Sequence, residues 1–292
     1  MRIEVSEIIE LVGKSPSLTR RPDRIDVDRE ITNLRARLKV KIDANLQPWF
    51  VLLDESVQFF FLLERYMFRQ PLEDNEVPFA IQCSKIKRDL VSIRELITIG
   101  QDICAAVLVR TLVEDLEIAM IVGLDQDLSA KYKTTDSQND FWNKHVGYGR
   151  VYTHLSNYLS ACGADASEIE KTIERHKEIK KFCSDCTHGG MISSLRSAFT
   201  PSLTTAEVFH HQSLGALSPD ARYICLSIAE ESRVFAGSLM NHLTRGSGLH
   251  VFARFTSSDK LFDVFSSAYV LQELIKRHGD DLQSAQITAA QT

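Results

Sequence analysis

"ICAAVLVRTLVEDLEIAMIVGL", residues 103 to 124, is the stretch of this sequence that says most about the fold. Residues 103 to 109 are apolar without a break. A helix that is apolar on every side is normally buried on every side. The stretch therefore predicts a helix that runs through the interior of a helical bundle.

Three charged residues interrupt this helix. Arg110 and Glu114 lie one turn apart, and Glu117 follows on the same face. A charge on a buried helix is costly unless it is paired and hydrogen-bonded. One interpretation is an internal salt bridge that fixes the register of the helix, or a helix that is only half buried. The other is a polar pocket inside the bundle, where Arg110 binds an anion or Glu114 acts as a base.

The rest of the chain predicts an all-α fold, a multi-helix bundle of about eight to eleven helices with no substantial sheet. Glycine (13) and proline (7) are sparse, and strand-like alternation is almost absent. We expect one helical domain over residues 1–292, or two packed halves over about 1–163 and 164–292. The predicted helices cover residues 3–12, 28–46, 48–69, 79–123 with a break or bend at Gly100, 126–133, 137–146, 149–161, 165–188, 205–213, 218–244 and 258–278.

Composition excludes several classes of protein. The formal net charge of the 292 residues is −5, whereas a nucleic-acid-binding protein usually carries a basic excess. A nucleic-acid partner is therefore possible but not supported by the net charge, whereas a protein partner or a homo-oligomer is possible. The most apolar windows contain several charges, so we expect no membrane span, and the N-terminus does not resemble a secretory signal. These features predict a cytoplasmic protein.

"CSDCTHGG", residues 183 to 190, raises the question of a metal site. Cys183 and Cys186 could hold a structural zinc only with two further ligands, and the candidates are His145, His154, His210 and His211. Helical geometry favours another explanation, because both cysteines continue the apolar stripe of the preceding helix. On that interpretation His188 is a C-terminal histidine that suits the helix dipole. We predict no cofactor.

"RGSGLH", residues 245 to 250, contains an arginine and a histidine with four residues between them. This spacing resembles the active-site motif of the HEPN ribonucleases, an all-helical family of toxins and defence effectors. Two glycines interrupt the stretch in this sequence, which is typical of a helix stop followed by a turn.

Residues 92 to 146 follow the pattern L-x-x-x-G-x-x-x-x-A-x-x-L-x-R-x-x-x-E and then A-K-Y. The matching positions are Gly100, Ala105, Arg110, Glu114, Ala130 and Tyr132. This stretch resembles a bacterial all-helical family filed as domain of unknown function 5677. The resemblance implies an all-α fold, a possible role in phage defence, and a later feature at Ser184, His188 and Gly189. It also implies that Arg110, Glu114 and His188 form one polar cluster.

The favoured prediction is thus an interaction or sensing module with a polar pocket around Arg110, Glu114 and His188. The first alternative is a metal-independent ribonuclease, with His188 or His250 as acid/base and Arg110 or Arg245 on the phosphate. The second alternative is a helical protein stabilised by zinc at Cys183 and Cys186. Whether the protein is an enzyme is left open.

Overall fold

The computed structural model describes residues 26–69, 71–134, 138–187, 199–201, 209–211, 215–246, 248–252 and 259–291. These residues form ten α-helices and one small antiparallel pair of strands. The helices are α1 (Val27–Asn45), α2 (Gln47–Met67), α3 (Val77–Thr98), α4 (Asp102–Leu124), α5 (Gln126–Thr134), α6 (Gln138–Phe141), α7 (Val151–Ala161), α8 (Ala166–Thr187), α9 (Asp220–Arg245) and α10 (Asp259–Gln291). The strands are β1 (Phe199–Pro201) and β2 (Phe209–His211). The predicted all-α class and helix number are confirmed.

Helix α4 is the central element, because it packs against α3, α5, α7, α8 and α9. Its buried part is residues 112 to 123, where nearly every side chain is excluded from solvent. The first turns differ from the prediction, since Cys104 is exposed and Val107 is 37% exposed. Neighbouring helices surround only the C-terminal half of α4. The charged residues in that half therefore need partners inside the protein.

The predicted break at Gly100 is confirmed, and a neighbouring segment fixes it. Gly100 has φ +69°, a conformation that favours glycine, and a Cβ there would lie 2.5 Å from the backbone nitrogen of Ala216. The Ala216 N–H donates to the Gly100 carbonyl at 3.0 Å. Beyond the break, the Asp102 carboxylate accepts hydrogen bonds from the backbone N–H and the hydroxyl of Ser218. The start of α4 is thereby joined to the start of α9.

Several helix starts agree with the sequence. A helix was predicted over residues 165–188, and Asp165 and Glu168 form a reciprocal capping box at the start of α8, with bonds of 2.9 and 3.1 Å. Ser218 accepts from the Asp220 N–H at 3.1 Å, as expected of a helix cap. The predicted start of α1 was residue 28, whereas the helix begins at Val27 and its capping residue is Asp26, which accepts from the Arg29 N–H.

Two other predictions were wrong in part, and one lies outside the described residues. Helix α10 continues through Gly279 to Gln291, and Leu282 gives it one more buried apolar contact beyond that glycine. Residues 209–211 form a strand paired with residues 199–201, where a helix over 205–213 was expected. The predicted helix over residues 3–12 is not among the described residues.

One apolar core joins helices from both sides of residue 163. At its centre the rings of Phe59, Phe60 and Phe79 all lie within 6.4 Å of the Phe235 ring, measured between centroids. Such contacts stabilise a fold through burial and through ring geometry. Among the described helices, none combines enough length and apolar character to cross a lipid bilayer.

Candidate functional site

Arg110 and Glu114 form an ion pair on α4, with 3.5 Å between Arg110 Nε and Glu114 Oε1. Arg110 Nη1 also donates to the Ser184 hydroxyl on α8. The two charged side chains are 35% and 26% exposed, so the loss of hydration costs this pair much less free energy than it would cost a fully buried pair. His188 lies outside the described residues. Of the three predicted cluster residues, the structure therefore brings Arg110 and Glu114 together and does not describe the third.

Glu114 also lines a cleft of about 280 Å³ between α3, α4, α5 and the segment that follows α6. We call it the Asp115 cleft, after its most buried carboxylate. Its lining residues are Ile81, Gln82, Lys85, Thr111, Glu114, Asp115, Ile118, Tyr132, Phe141 and Trp142. A concave site lined by apolar and aromatic side chains with a few convergent polar groups is typical of ligand binding.

Asp115 is the central ionisable group of the cleft. Its Oδ1 lies 2.7 Å from Lys85 Nζ, and its side chain is 3% exposed while that of Lys85 is 41% exposed. Burial raises the pKa of Asp115 to about 6; the Asp89 carboxyl adds to that shift and Lys85 opposes it. The second oxygen, Oδ2, is buried and receives no donor from the described residues, and the carboxyl that interacts with this side chain from the other direction is that of Asp89. Asp115 thus retains the capacity to accept another hydrogen bond.

A second buried acceptor lies beside an aromatic wall. Gln82 is 3% exposed, its amide nitrogen donates to the Tyr132 hydroxyl, and its Oε1 has no hydrogen-bond partner in the described part of the chain. Burial raises the pKa of Tyr132, so its hydroxyl remains a neutral donor. The Tyr132 and Phe141 rings meet edge to face with centroids 4.9 Å apart. Trp142 completes this wall.

The segment after α6 has an unusual backbone. Residues Trp142–Val146 form one π-helical turn, and Tyr148 has φ +58°, which is rare for a residue other than glycine. His145 in this turn lies 3.4 Å from His154, measured between Nδ1 and Nε2. Burial lowers the pKa of both imidazoles, which favours a neutral pair that shares one hydrogen bond. This pair supports the cleft from behind Phe141, whose ring lies 4.8 Å from that of His145.

A second polar region, the His176 network, is buried between α4, α8 and α9. His176 is completely buried between two carboxylates, with Nδ1 3.2 Å from Glu117 Oε1 and Nε2 2.5 Å from Glu231 Oε2. Lys180 Nζ lies 2.5 Å from Glu117 Oε2, and Arg175 Nε lies 2.8 Å from Glu231 Oε1. Three cations and two carboxylates therefore compensate one another inside the bundle.

The protonation states of the network follow from these contacts. Burial opposes a charged imidazole, but the attraction of Glu231 and Glu117 outweighs it and raises the pKa of His176 to about 9. Burial likewise opposes a charged Glu231, but His176 and Arg175 hold its pKa down at about 2. At neutral pH His176 and Glu231 are therefore both charged, and their contact fixes the register of α8 against α9.

Cys183 and Cys186 are buried at 0% and 8% exposure, as the apolar stripe predicts. Burial raises the pKa of Cys183 to about 12, so it is a neutral thiol at physiological pH. In the described ranges no group of three or more His, Cys, Asp or Glu side chains is arranged to hold a metal ion. The side chains of His210 and His211 lie outside the described part.

Arg245 and His250 occupy a helix end and a turn. Arg245 is the exposed last residue of α9, which stops at Gly246 with φ +77°. His250 Nε2 donates to the Val122 carbonyl at the end of α4 at 2.8 Å. That donor is therefore already engaged by the backbone of the fold.

Four residues that matter here were not predicted: Lys85 and Gln82 in the cleft, and His176 and Glu231 in the network. Each looks like an ordinary helix residue, because its partner lies on another helix. The available signal was Asp115 and Glu117 within the most apolar stretch of the chain. Comparison of the chain with protein-family models, with curated proteins and with solved structures gives no match.

Proposed function

We propose that this protein is a ligand-binding module, acting in sensing or interaction, that takes up a small organic ammonium ion in the Asp115 cleft. The observation that carries the proposal is the contact between the Lys85 ammonium and the Asp115 carboxylate, at 2.7 Å. In this contact the Asp115 carboxylate already binds an ammonium group, and an ammonium ligand would make the same contact.

The exposure of the two partners explains how a ligand could replace Lys85. Asp115 belongs to the floor of the cleft, whereas the Lys85 side chain is 41% exposed and sits on a flexible stem at the rim. Lys85 can therefore rotate into water while the carboxylate stays in place. The unpartnered oxygens of Asp115 and Gln82 then offer further acceptors for N–H groups of a ligand.

The remaining lining residues suit a cation with an apolar body. Glu114 supplies a second carboxylate, and its ion pair with Arg110 holds it on the same face of α4. Tyr132 and Trp142 supply aromatic surfaces, which attract cations by roughly 0.5 to 2 kcal/mol. Carboxylates outnumber cations among the lining residues, so a positively charged ligand is favoured over a negative one.

The test is chemical rescue of the Lys85→Ala variant with propylammonium, which replaces the atoms removed beyond Cβ. We expect Lys85→Ala to lose about 1 to 3 kcal/mol of unfolding free energy, because a buried acceptor loses its partner. Propylammonium at ten times its dissociation constant should restore about 1.4 kcal/mol, seen as a rise in melting temperature. Tetramethylammonium, which cannot donate a hydrogen bond, should restore much less.

Lys87→Ala is the matched control, because Lys87 is on the same helix and pairs with Glu64 outside the cleft. Propylammonium should not stabilise this variant more than the wild type. The Lys85→Ala/Asp115→Asn double variant should also fail to respond. Equal stabilisation of all three variants would mean that the amine acts on the protein surface, and the proposal would be wrong.

The resemblance to the domain of unknown function 5677 family adds a narrower expectation, a role in phage defence in the bacterial cytosol. The measurement is the plating efficiency of phages on cells that express the wild type or Asp115→Asn. Protection by the wild type alone would support this role. Equal plating with and without the wild type would count against defence but not against ligand binding.

A further inference from the structure

A second cavity, of about 480 Å³, lies between the end of α7 and helices α8, α9 and α10. We call it the Arg175 cavity. Its charged lining residues are Glu168, Lys171, Arg175, Arg233 and Glu273. It is separate from the Asp115 cleft, with which it shares no lining residue.

The two carboxylates of the cavity are already engaged. Glu168 accepts the Asp165 N–H within the capping box of α8. Glu273 pairs with Lys276 and Arg277 of its own helix, at 3.7 and 3.3 Å. Neither carboxylate pairs with a cation of the cavity.

The three cations, in contrast, retain donors. Arg233 uses Nε for Glu230 at 2.9 Å, and its two terminal nitrogens pair with no described residue. Lys171 is exposed and has no ion pair with another described residue. The Arg175 guanidinium, which is 23% exposed, places Nε on Glu231 and Nη1 3.7 Å from Glu230, and its Nη2 has no hydrogen-bond partner in the described ranges.

Arg175 is therefore a rigid donor, because the buried His176 network holds its other side. Glu231, its partner at 2.8 Å, is only 1% exposed and also contacts His176. A guanidinium fixed in this way loses little side-chain entropy when it binds an anion, and its planar fork matches phosphate or carboxylate oxygens. An unpaired donor at a buried site costs free energy, which an anion would recover.

We infer that the Arg175 cavity binds the phosphate group of a small phosphorylated molecule through Arg175, Arg233 and Lys171. The cavity is much larger than a phosphate ion. The apolar side chains of Leu159, Val234, Met240 and Tyr269 line part of the remainder, beside the polar side chains of Thr172, Ser238, Asn241 and Gln272. The ligand therefore has an apolar or aromatic portion beside its phosphate. Arg175 Nη2 is closed to solvent before binding, so the side chains that cover it move when the ligand enters, while the guanidinium stays fixed on Glu231.

The test is calorimetric titration of the full chain with inorganic phosphate and with phenyl phosphate at constant ionic strength. We expect one site per chain, with phenyl phosphate at least tenfold tighter than phosphate because its ring buries apolar surface. Arg233→Gln removes a partly exposed charge and Lys171→Gln an exposed one, and each should weaken phenyl phosphate binding about tenfold while the fold persists.

Lys177→Gln is the matched control on α8, because Lys177 pairs with Glu174 and does not line the cavity. The Lys177→Gln variant should bind phenyl phosphate with the same affinity as the wild type. If Arg233→Gln, Lys171→Gln and Lys177→Gln all weaken binding equally, the anion responds to general surface charge and the inference is wrong. Absence of phenyl phosphate binding by the folded wild type would also overturn it, and neither result bears on the Asp115 cleft.

Discussion

Replacement of Glu231 by glutamine tests whether the His176 network stabilises the bundle as a set of buried charges. Glutamine keeps the size of the side chain and removes the charge. His176, which is completely buried, and Arg175 then lose the carboxylate that lies 2.5 and 2.8 Å from them. Two cations remain in the interior with less compensation, which is unfavourable in a medium of low polarity.

The expected loss can be worked from the environment of Glu231. Its surroundings lower its pKa from 4.5 to about 2. At about 1.4 kcal/mol per pKa unit this corresponds to about 3 kcal/mol in favour of the charged form. Removal of one partner from a buried ion pair costs about 3 to 5 kcal/mol in other proteins, which agrees. For a chain of this size that loss lowers the melting temperature by roughly 6 °C.

The assay is urea unfolding followed by circular dichroism, which reports on the helices directly. Glu230→Gln is the matched control, because Glu230 is adjacent in sequence and contacts the same Arg175 but is 22% exposed. We expect Glu230→Gln to cost less than about 1 kcal/mol. A loss of less than about 1 kcal/mol of unfolding free energy in Glu231→Gln, or equal losses in the two variants, would show that the buried charge of Glu231 does not stabilise the bundle.

Three further predictions concern thiols, backbone packing and pH. Ellman's reagent should react rapidly with one thiol of the native protein, that of Cys104, because the other five cysteines are buried. Rapid reaction of a second thiol would contradict the burial of those five cysteines. Gly215→Ala should cost more than about 2 kcal/mol in urea unfolding, because its Cβ would overlap the Ile99 carbonyl oxygen, whereas Gly248→Ala should be nearly neutral. Because the pKa of His176 is raised from 6.5 to about 9, its stabilising contribution is complete below pH 6.5 and is lost as the pH rises through 9. The unfolding free energy of the wild type should therefore fall by up to about 3 kcal/mol over that range. The fall should be much smaller in His176→Gln.

Local features of the fold were predictable because they depend on neighbours in sequence. The capping box at Asp165 and Glu168 and the helix start at Ser218 rely on residues two or three positions apart. The break at Gly100 was predictable from glycine alone, but its cause was not. The Ala216 backbone that closes on Gly100 belongs to a distant segment that the sequence does not link to it.

The polar sites were predictable only where they are local. Arg110 and Glu114 are four residues apart on one helix face, and their ion pair follows from that spacing. Glu117 was recognised as an unusual charge near a core, but its partner His176 is 59 residues away on α8. The sequence identifies a charge that needs compensation, and only the packing of helices decides which residue supplies it.

The central claim is that Asp115 binds an ammonium ion at the floor of its cleft. The most direct measurement is a crystal structure of the Lys85→Ala variant grown with propylammonium, beside one grown with tetramethylammonium. We expect one propylammonium nitrogen about 3 Å from Asp115 Oδ1, in the place that Lys85 Nζ occupies in the wild type. A cleft that contains only water in the presence of propylammonium, with the amine bound elsewhere or not at all, would contradict it.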